Sequence, residues 1–141
     1  MPDEIRVRIG SEHDILAARQ RGRGLAADWG FTGTDLTLIA TAISEVARNI
    51  VEYAGEGEIV LTLLINGTRR GIVVVASDRG PGIPDITQAM QDGFSTSRSL
   101  GLGLPGARRL MDEFEIESGI GTGTTVTMRK WIHNSSLTPH R

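Results

Sequence analysis

Glu45 and Asn49 stand four residues apart in a stretch of helical period, which puts them on one face with Cβ atoms roughly 5–6 Å apart. A carboxylate beside a neutral amide oxygen suits phosphate chemistry. The amide can ligate Mg²⁺ without consuming charge, because Mg²⁺ takes oxygen ligands and shares them with phosphates. The carboxylate can receive a proton from an attacking hydroxyl or water. Two solvated residues opposite the core stripe would show the same spacing, so the pair alone leaves both readings open.

Three glycine-bearing segments follow. Asp78-Arg79-Gly80-Pro81-Gly82-Ile83 comes straight off an apolar run. An Asp at a strand end can accept a hydrogen bond from an amino group such as that of adenine. Gly80 and Gly82 would let a flat ring approach the backbone, and Ile83 closes the segment. A plain turn uses the same residue types. Gly101-Leu102-Gly103-Leu104-Pro105-Gly106 formally matches G-x-G-x-x-G. The dinucleotide fingerprint does not fit, because no strand precedes it and no acidic residue stands about 20 positions on in a second strand. Glycines that open a helix instead expose N–H groups to an anion, and the helix dipole adds positive potential. A triphosphate is the natural ligand; a hinge is the alternative. Last comes Gly121-Thr122-Gly123-Thr124. The Thr124 hydroxyl could bond a base directly or through water, or simply belong to a strand after a turn. In order, the segments describe ATP held by one helix and two glycine loops.

The elements that must position these residues are legible from pattern. Ile5, Val7 and Ile9 alternate with Glu4, Arg6 and Arg8, which predicts a half-buried strand. Ser11 with Asp14 opens a helix in the manner of a capping box; the helix ends near Trp29 and Gly30. Leu36, Ile39, Ala40, Ile43, Val46, Ala47 and Ile50 give a second helix an apolar stripe. The runs 59–65 and 72–76 read as a hairpin with a somewhat enlarged turn at Asn66-Gly67. Residues 79–104 read as a loop region with a short helical turn at 86–91. A helix is expected over 104–112, with Pro105 tolerated in its first turn, then strands through Phe114 and Ile116 and over 124–131. The order β-α-α-β-β-loop-α-β-β predicts a two-layer α/β sandwich, a mixed sheet with helices on one face. It spans residues 1–132 as one domain, with 133–141 as a disordered tail.

Composition narrows the function. Net charge is −2, which argues against a polyanion binder and so against nucleic acid. There is no cysteine, which excludes disulfides, thiolate catalysis and Cys-ligated metal. No apolar run approaches 18 residues, so no membrane span is expected, and a cytoplasmic location fits. His13, His133 and His140 lack mutual metal-ligand spacing. No G-x-x-x-x-G-K-[ST], V-A-I-K, H-R-D or D-F-G is present, which excludes a P-loop protein and a eukaryotic-type kinase fold. Arg19, Arg21 and Arg23 form either a solvated helix face or a docking surface for an acidic partner. Arg108 or Arg109 lies close enough in sequence to reach a phosphate.

The segments at Glu45–Asn49, Asp78–Ile83, Gly101–Leu104 and Gly121–Thr124 resemble the nucleotide-binding boxes of the GHKL superfamily, which includes gyrase B and the histidine kinases. The likeness runs over most of residues 4–131. Within that superfamily, the small size, the Glu45-x-x-x-Asn49 pair and the run Phe94–Asp112 resemble the bacterial serine/threonine kinases of the anti-sigma-factor type. The resemblance implies a Bergerat-type fold with ATP and Mg²⁺ as cofactors. It implies that Asn49 holds Mg²⁺ and that Glu45 is the base toward a substrate hydroxyl. Asp78 would read the adenine amino group, with Gly80, Gly82 and Ile83 shaping the pocket. Gly101, Leu102, Gly103 and Leu104 would wrap the phosphates, and Thr124 would support the base. It further implies STAS-domain substrate proteins, a stressosome scaffold and a downstream effector enzyme as partners, or else a sigma subunit held by a kinase that is also an anti-sigma factor. A non-catalytic ATP-dependent switch is the third reading.

Phosphoryl transfer needs mainly positioning and charge neutralisation. A free glutamate, with a pKa of about 4.3, is a weak base for serine, so Glu45 either acts as a base proper or orients the hydroxyl while its proton leaves late. Arg48 beside Asn49, and the short stretch from Pro84 to Gly101, suggest weak nucleotide affinity until a partner closes the site.

Overall fold

The computed structural model describes residues 4–82, 90 and 103–132. The elements are β1 (Glu4–Ile9), α1 (Glu12–Asp28), α2 (Thr34–Tyr53), β2 (Gly57–Asn66), β3 (Arg69–Asp78), α3 (Gly103–Leu110), β4 (Glu113–Gly119) and β5 (Gly123–Trp131). Ile83, Gly101, Leu102, the expected turn at 86–91, the stretch from Pro84 to Gly101 and the tail 133–141 fall outside the described residues, apart from Met90.

Local chemistry sets the helix ends. The Ser11 hydroxyl accepts the Asp14 N–H at 3.4 Å, and Asp14 Oδ2 accepts the Gly10 N–H at 2.8 Å. Asp14 therefore reaches back to the residue before the cap; such a cap contributes about 1 kcal/mol. At the other end, the N–H groups of Gly30 and Phe31 bond the carbonyls of Ala27 and Ala26. This is the Schellman pattern, with Gly30 at φ 112 taking the left-handed position.

The five strands form one sheet in the order β1-β2-β3-β5-β4, and every neighbouring pair is antiparallel. The two-layer α/β arrangement is as the pattern predicts, but the expectation of mixed strand directions is corrected. Two helices between β1 and β2 bring the chain back twice, so β2 runs opposite to β1. The single helix after β3 leaves β3 and β4 parallel, as a βαβ crossover does, but β5 lies between them. The β2–β3 turn is also tighter than expected. Asn66 pairs with Arg69, leaving only Gly67 and Thr68 in the loop, with Gly67 at φ 65.

One sheet face carries the core: Ile59, Leu61, Ile72, Val74, Ala76, Val126 and Met128 are buried against the helices. α2 lies between α1 and α3, so it buries more than one stripe. Ile39, Ile43 and Ile50 are at most 1% exposed, and each such side chain stabilises the fold by roughly 1.5–3 kcal/mol relative to exposure. The other sheet face holds half-buried Val60, Val73, Val75, Thr125 and Thr127 between Arg6 and Arg8 on one edge and Glu113, Glu115 and Glu117 on the other.

Candidate functional site

Glu45 is buried at 5% exposure, which removes the solvated reading for it. A carboxylate that deep must be paired or hydrogen-bonded to offset its desolvation. Its Oε1 accepts the Gly103 N–H at 3.1 Å. Gly103 is the first residue of α3 and sits at φ 70. The start of the expected phosphate helix and the expected base are therefore in direct contact. Asn49 is half-buried one turn further along α2. Leu104 is buried behind Gly103 and packs into the core.

A second cluster sits at the end of β3. Asp78 is half-buried, and its Oδ1 accepts two backbone N–H groups, from Gly80 at 2.8 Å and Thr124 at 3.3 Å. Among the described residues nothing donates to Oδ2. One oxygen thus fixes the side chain while the other is available to a ligand. Thr124 faces Asp78 across the β3–β5 register and is itself buried. The loop after Asp78 is pinned to the β4–β5 turn by the Gly121 N–H to the Pro81 carbonyl at 2.9 Å. Gly82 is obligatory there: it has φ 85, and a Cβ would run into the Gly119 carbonyl oxygen. Gly80 lies against Ala54 at the end of α2, so the backbone comes as close to its neighbours as the sequence suggested.

The two clusters share α2. The Asp78 loop rests on Ala54, and Glu45 stands nine residues earlier, roughly 13 Å along the helix axis. Asn49 lies between them. Gly57 ties the strand to this helix, with Ile50 and Asp78 both packed against it. The arrangement can hold an elongated ligand along one flank of α2, with a hydrogen-bond acceptor at one end and a carboxylate beside helix N–H groups at the other.

Several residues fall elsewhere. Arg108 and Arg109 occupy the last turn of α3, where cations complement the dipole, at the opposite end from Gly103. Arg48 turns toward α1 and meets Glu12 at 3.5 Å. Arg19, Arg21 and Arg23 are exposed. Lys130 and Ser118 were missed. Lys130 is 5% exposed; its ammonium donates to the Leu110 carbonyl at 3.1 Å and faces Asp112 at 3.7 Å and Asp35 at 4.0 Å. It anchors the C-terminal end of the helix whose first residue holds Glu45. The signal was present: Lys130 continues the inward period of Val126 and Met128, as Ser118 continues that of Phe114 and Ile116.

Residues 11–130 match the model of the histidine kinase-like ATPase domain. The chain belongs to that family. It is 52% identical over 132 residues to the serine/threonine-protein kinase RsbT of Bacillus subtilis, covering 94% of this chain and 99% of that protein. It is 36% identical over 121 residues to an anti-sigma F factor of Thermoanaerobacter, covering 82% and 83% of the two. Among solved structures, a chain of the SiaB–SiaC complex of Pseudomonas aeruginosa superposes with a TM-score of 0.59 at 13% identity, over 91% of this chain and 89% of that one; this likeness bears on the fold alone. By its relationship to RsbT the chain is an enzyme, a protein serine/threonine kinase that uses ATP. No helix among the described residues is long and apolar enough to cross a membrane.

Proposed function

We propose that this kinase transfers the γ-phosphoryl group of ATP to a serine or threonine of a STAS-domain partner in a stressosome-like partner-switching pathway in the cytoplasm. It then changes partner and activates a downstream effector. The observation that carries the reading is the buried Glu45 carboxylate bonded to the first N–H of α3. It puts a proton acceptor beside the helix end that would hold the triphosphate. The substrate hydroxyl attacks the γ-phosphorus, the bond to the β-bridging oxygen breaks, and Glu45 takes or directs the hydroxyl proton. At the other end, Asp78 Oδ2 reads the adenine amino group, Gly80 and Gly82 let the ring approach, and Thr124 supports it.

Asn49 fits a magnesium ligand, because its neutral oxygen leaves the phosphates to supply the charge. Among the described residues no cluster of three acidic or histidine side chains competes for a metal. The ion, when bound, would neutralise phosphate charge.

Incubation with labelled ATP and a STAS-domain protein tests the assignment. Label should reach a partner serine or threonine, and Glu45→Ala or Asn49→Ala should abolish it; labelling that survives both changes would refute the roles of base and magnesium ligand. The anti-sigma F relatives favour a second reading, a kinase that also sequesters a sigma subunit. Capture of a sigma subunit by the purified chain, in place of a STAS scaffold, would select it.

A further inference from the structure

We infer that Ser118 orients the Thr124 hydroxyl and thereby makes the base pocket select a purine with an amino group at position 6 over one with a carbonyl there. This rests on the proposed nucleotide site and extends it to a residue outside the four motif segments.

Asp78, Thr124 and Ser118 stand side by side on β3, β5 and β4, in one register row. Ser118 Oγ lies 3.2 Å from the Gly123 carbonyl and 2.8 Å from Thr124 Oγ1. A carbonyl oxygen can only accept, and a serine hydroxyl carries one proton. That proton goes to Gly123, so the proton in the shorter contact comes from Thr124. Thr124, 5% exposed, thus commits its only proton to Ser118 and presents its oxygen as an acceptor. Beside it the ionised Asp78 is acceptor-only, with Oδ1 already taken by the N–H groups of Gly80 and Thr124.

The row therefore offers a base two acceptors and no side-chain proton. An exocyclic amino group, with two protons, matches it. A carbonyl oxygen does not. To donate to that oxygen, Thr124 would have to surrender the Ser118 bond inside a buried site. Sites built around specific hydrogen bonds reject mismatched groups strongly for this reason. Without Ser118, the Thr124 hydroxyl is released to turn its proton toward an incoming carbonyl, and the guanine base becomes tolerable.

The experiment titrates the full chain with non-hydrolysable ATP and GTP analogues in the presence of Mg²⁺. The wild type is expected to prefer the adenine nucleotide, and Ser118→Ala to narrow the ratio of the two dissociation constants by about tenfold. Ser118→Thr, which keeps the hydroxyl, should restore the wild-type ratio. Ser118→Cys, near-isosteric with a weakly bonding thiol, should narrow the ratio as alanine does and serves if the alanine variant does not fold. A Ser118→Ala or Ser118→Cys chain that keeps the wild-type ratio would overturn the inference, even if both affinities fell together, because a purely structural role moves both equally. A wild type that binds neither analogue would overturn the nucleotide reading itself, and this inference with it.

Discussion

The Glu45 carboxylate accepts the backbone N–H of Gly103 at 3.1 Å, joining the middle of α2 to the first residue of α3. A side chain used to move a proton is thereby tied to the loop that would hold phosphate. A base that must be oriented to within a few tenths of an ångström gains from such a fixed partner.

The separation of roles along α2 gives the first prediction. Removing the carboxylate should cost chemistry and spare binding. Glu45→Ala is expected to lower phosphoryl transfer by about 10²–10⁴-fold, the usual contribution of a positioned acid–base group, while nucleotide affinity stays within a few-fold of wild type. Single-turnover transfer and calorimetric binding measure the two separately. A variant that loses binding and transfer in proportion would show Glu45 to be a binding residue.

Asn49 carries the opposite signature. Its amide would act only through magnesium, so its loss should appear in the metal-dependent part of affinity. In Asn49→Ala, Mg²⁺ should no longer strengthen ATP binding as it does in the wild type, and the two proteins should bind alike in EDTA. Retention of the full magnesium effect would remove Asn49 from the metal site.

Much of this was legible in the sequence, and the gaps have physical causes. The alternation of Ile5, Val7 and Ile9, the Ser11–Asp14 cap and the α2 stripe encode local structure, and local structure is what periodicity reports. Strand direction is not local. It depends on where β5 inserts, and nothing in Thr124–Trp131 states that it lies between β3 and β4. The burial of Glu45 was open for a related reason. The α2 stripe shows one apolar face, but the helix is flanked by α1 and α3, so positions beside the stripe are buried too. Gly80, Gly82 and Thr124 could be placed at strand ends from sequence, whereas the Gly103–Glu45 bond spans 58 positions and no short motif records it.

Lys130 should matter through α3. Its ammonium meets the Leu110 carbonyl, Asp112 and Asp35 with almost no solvent access. Lys130→Met keeps most of the stem packing and removes the charge. It is expected to destabilise the fold by about 2 kcal/mol, the order of a charged hydrogen bond. The two ion pairs add little, because they are long and both aspartates keep over a quarter of their exposure. Denaturant unfolding measures the loss. An unchanged midpoint would mean that α3 is held by its apolar face alone.

Two glycines two residues apart in α1 test packing against propensity. Gly24 is exposed, and a Cβ there would meet nothing within 4 Å. Gly22 is buried, and a Cβ there would run into Cδ1 of Ile43. In a helix interior, alanine is favoured over glycine by about 0.5–1 kcal/mol. Gly24→Ala should therefore raise the thermal midpoint by roughly 2–5 °C. Gly22→Ala carries the same backbone gain but must displace the tip of Ile43, a fully buried side chain in the α1–α2 contact. Overpacking of this kind costs about 1–3 kcal/mol, which outweighs the gain, so its midpoint should fall. If both variants are stabilised alike, Ile43 re-packs freely, and the close approach of α1 to α2 does not require glycine at that position.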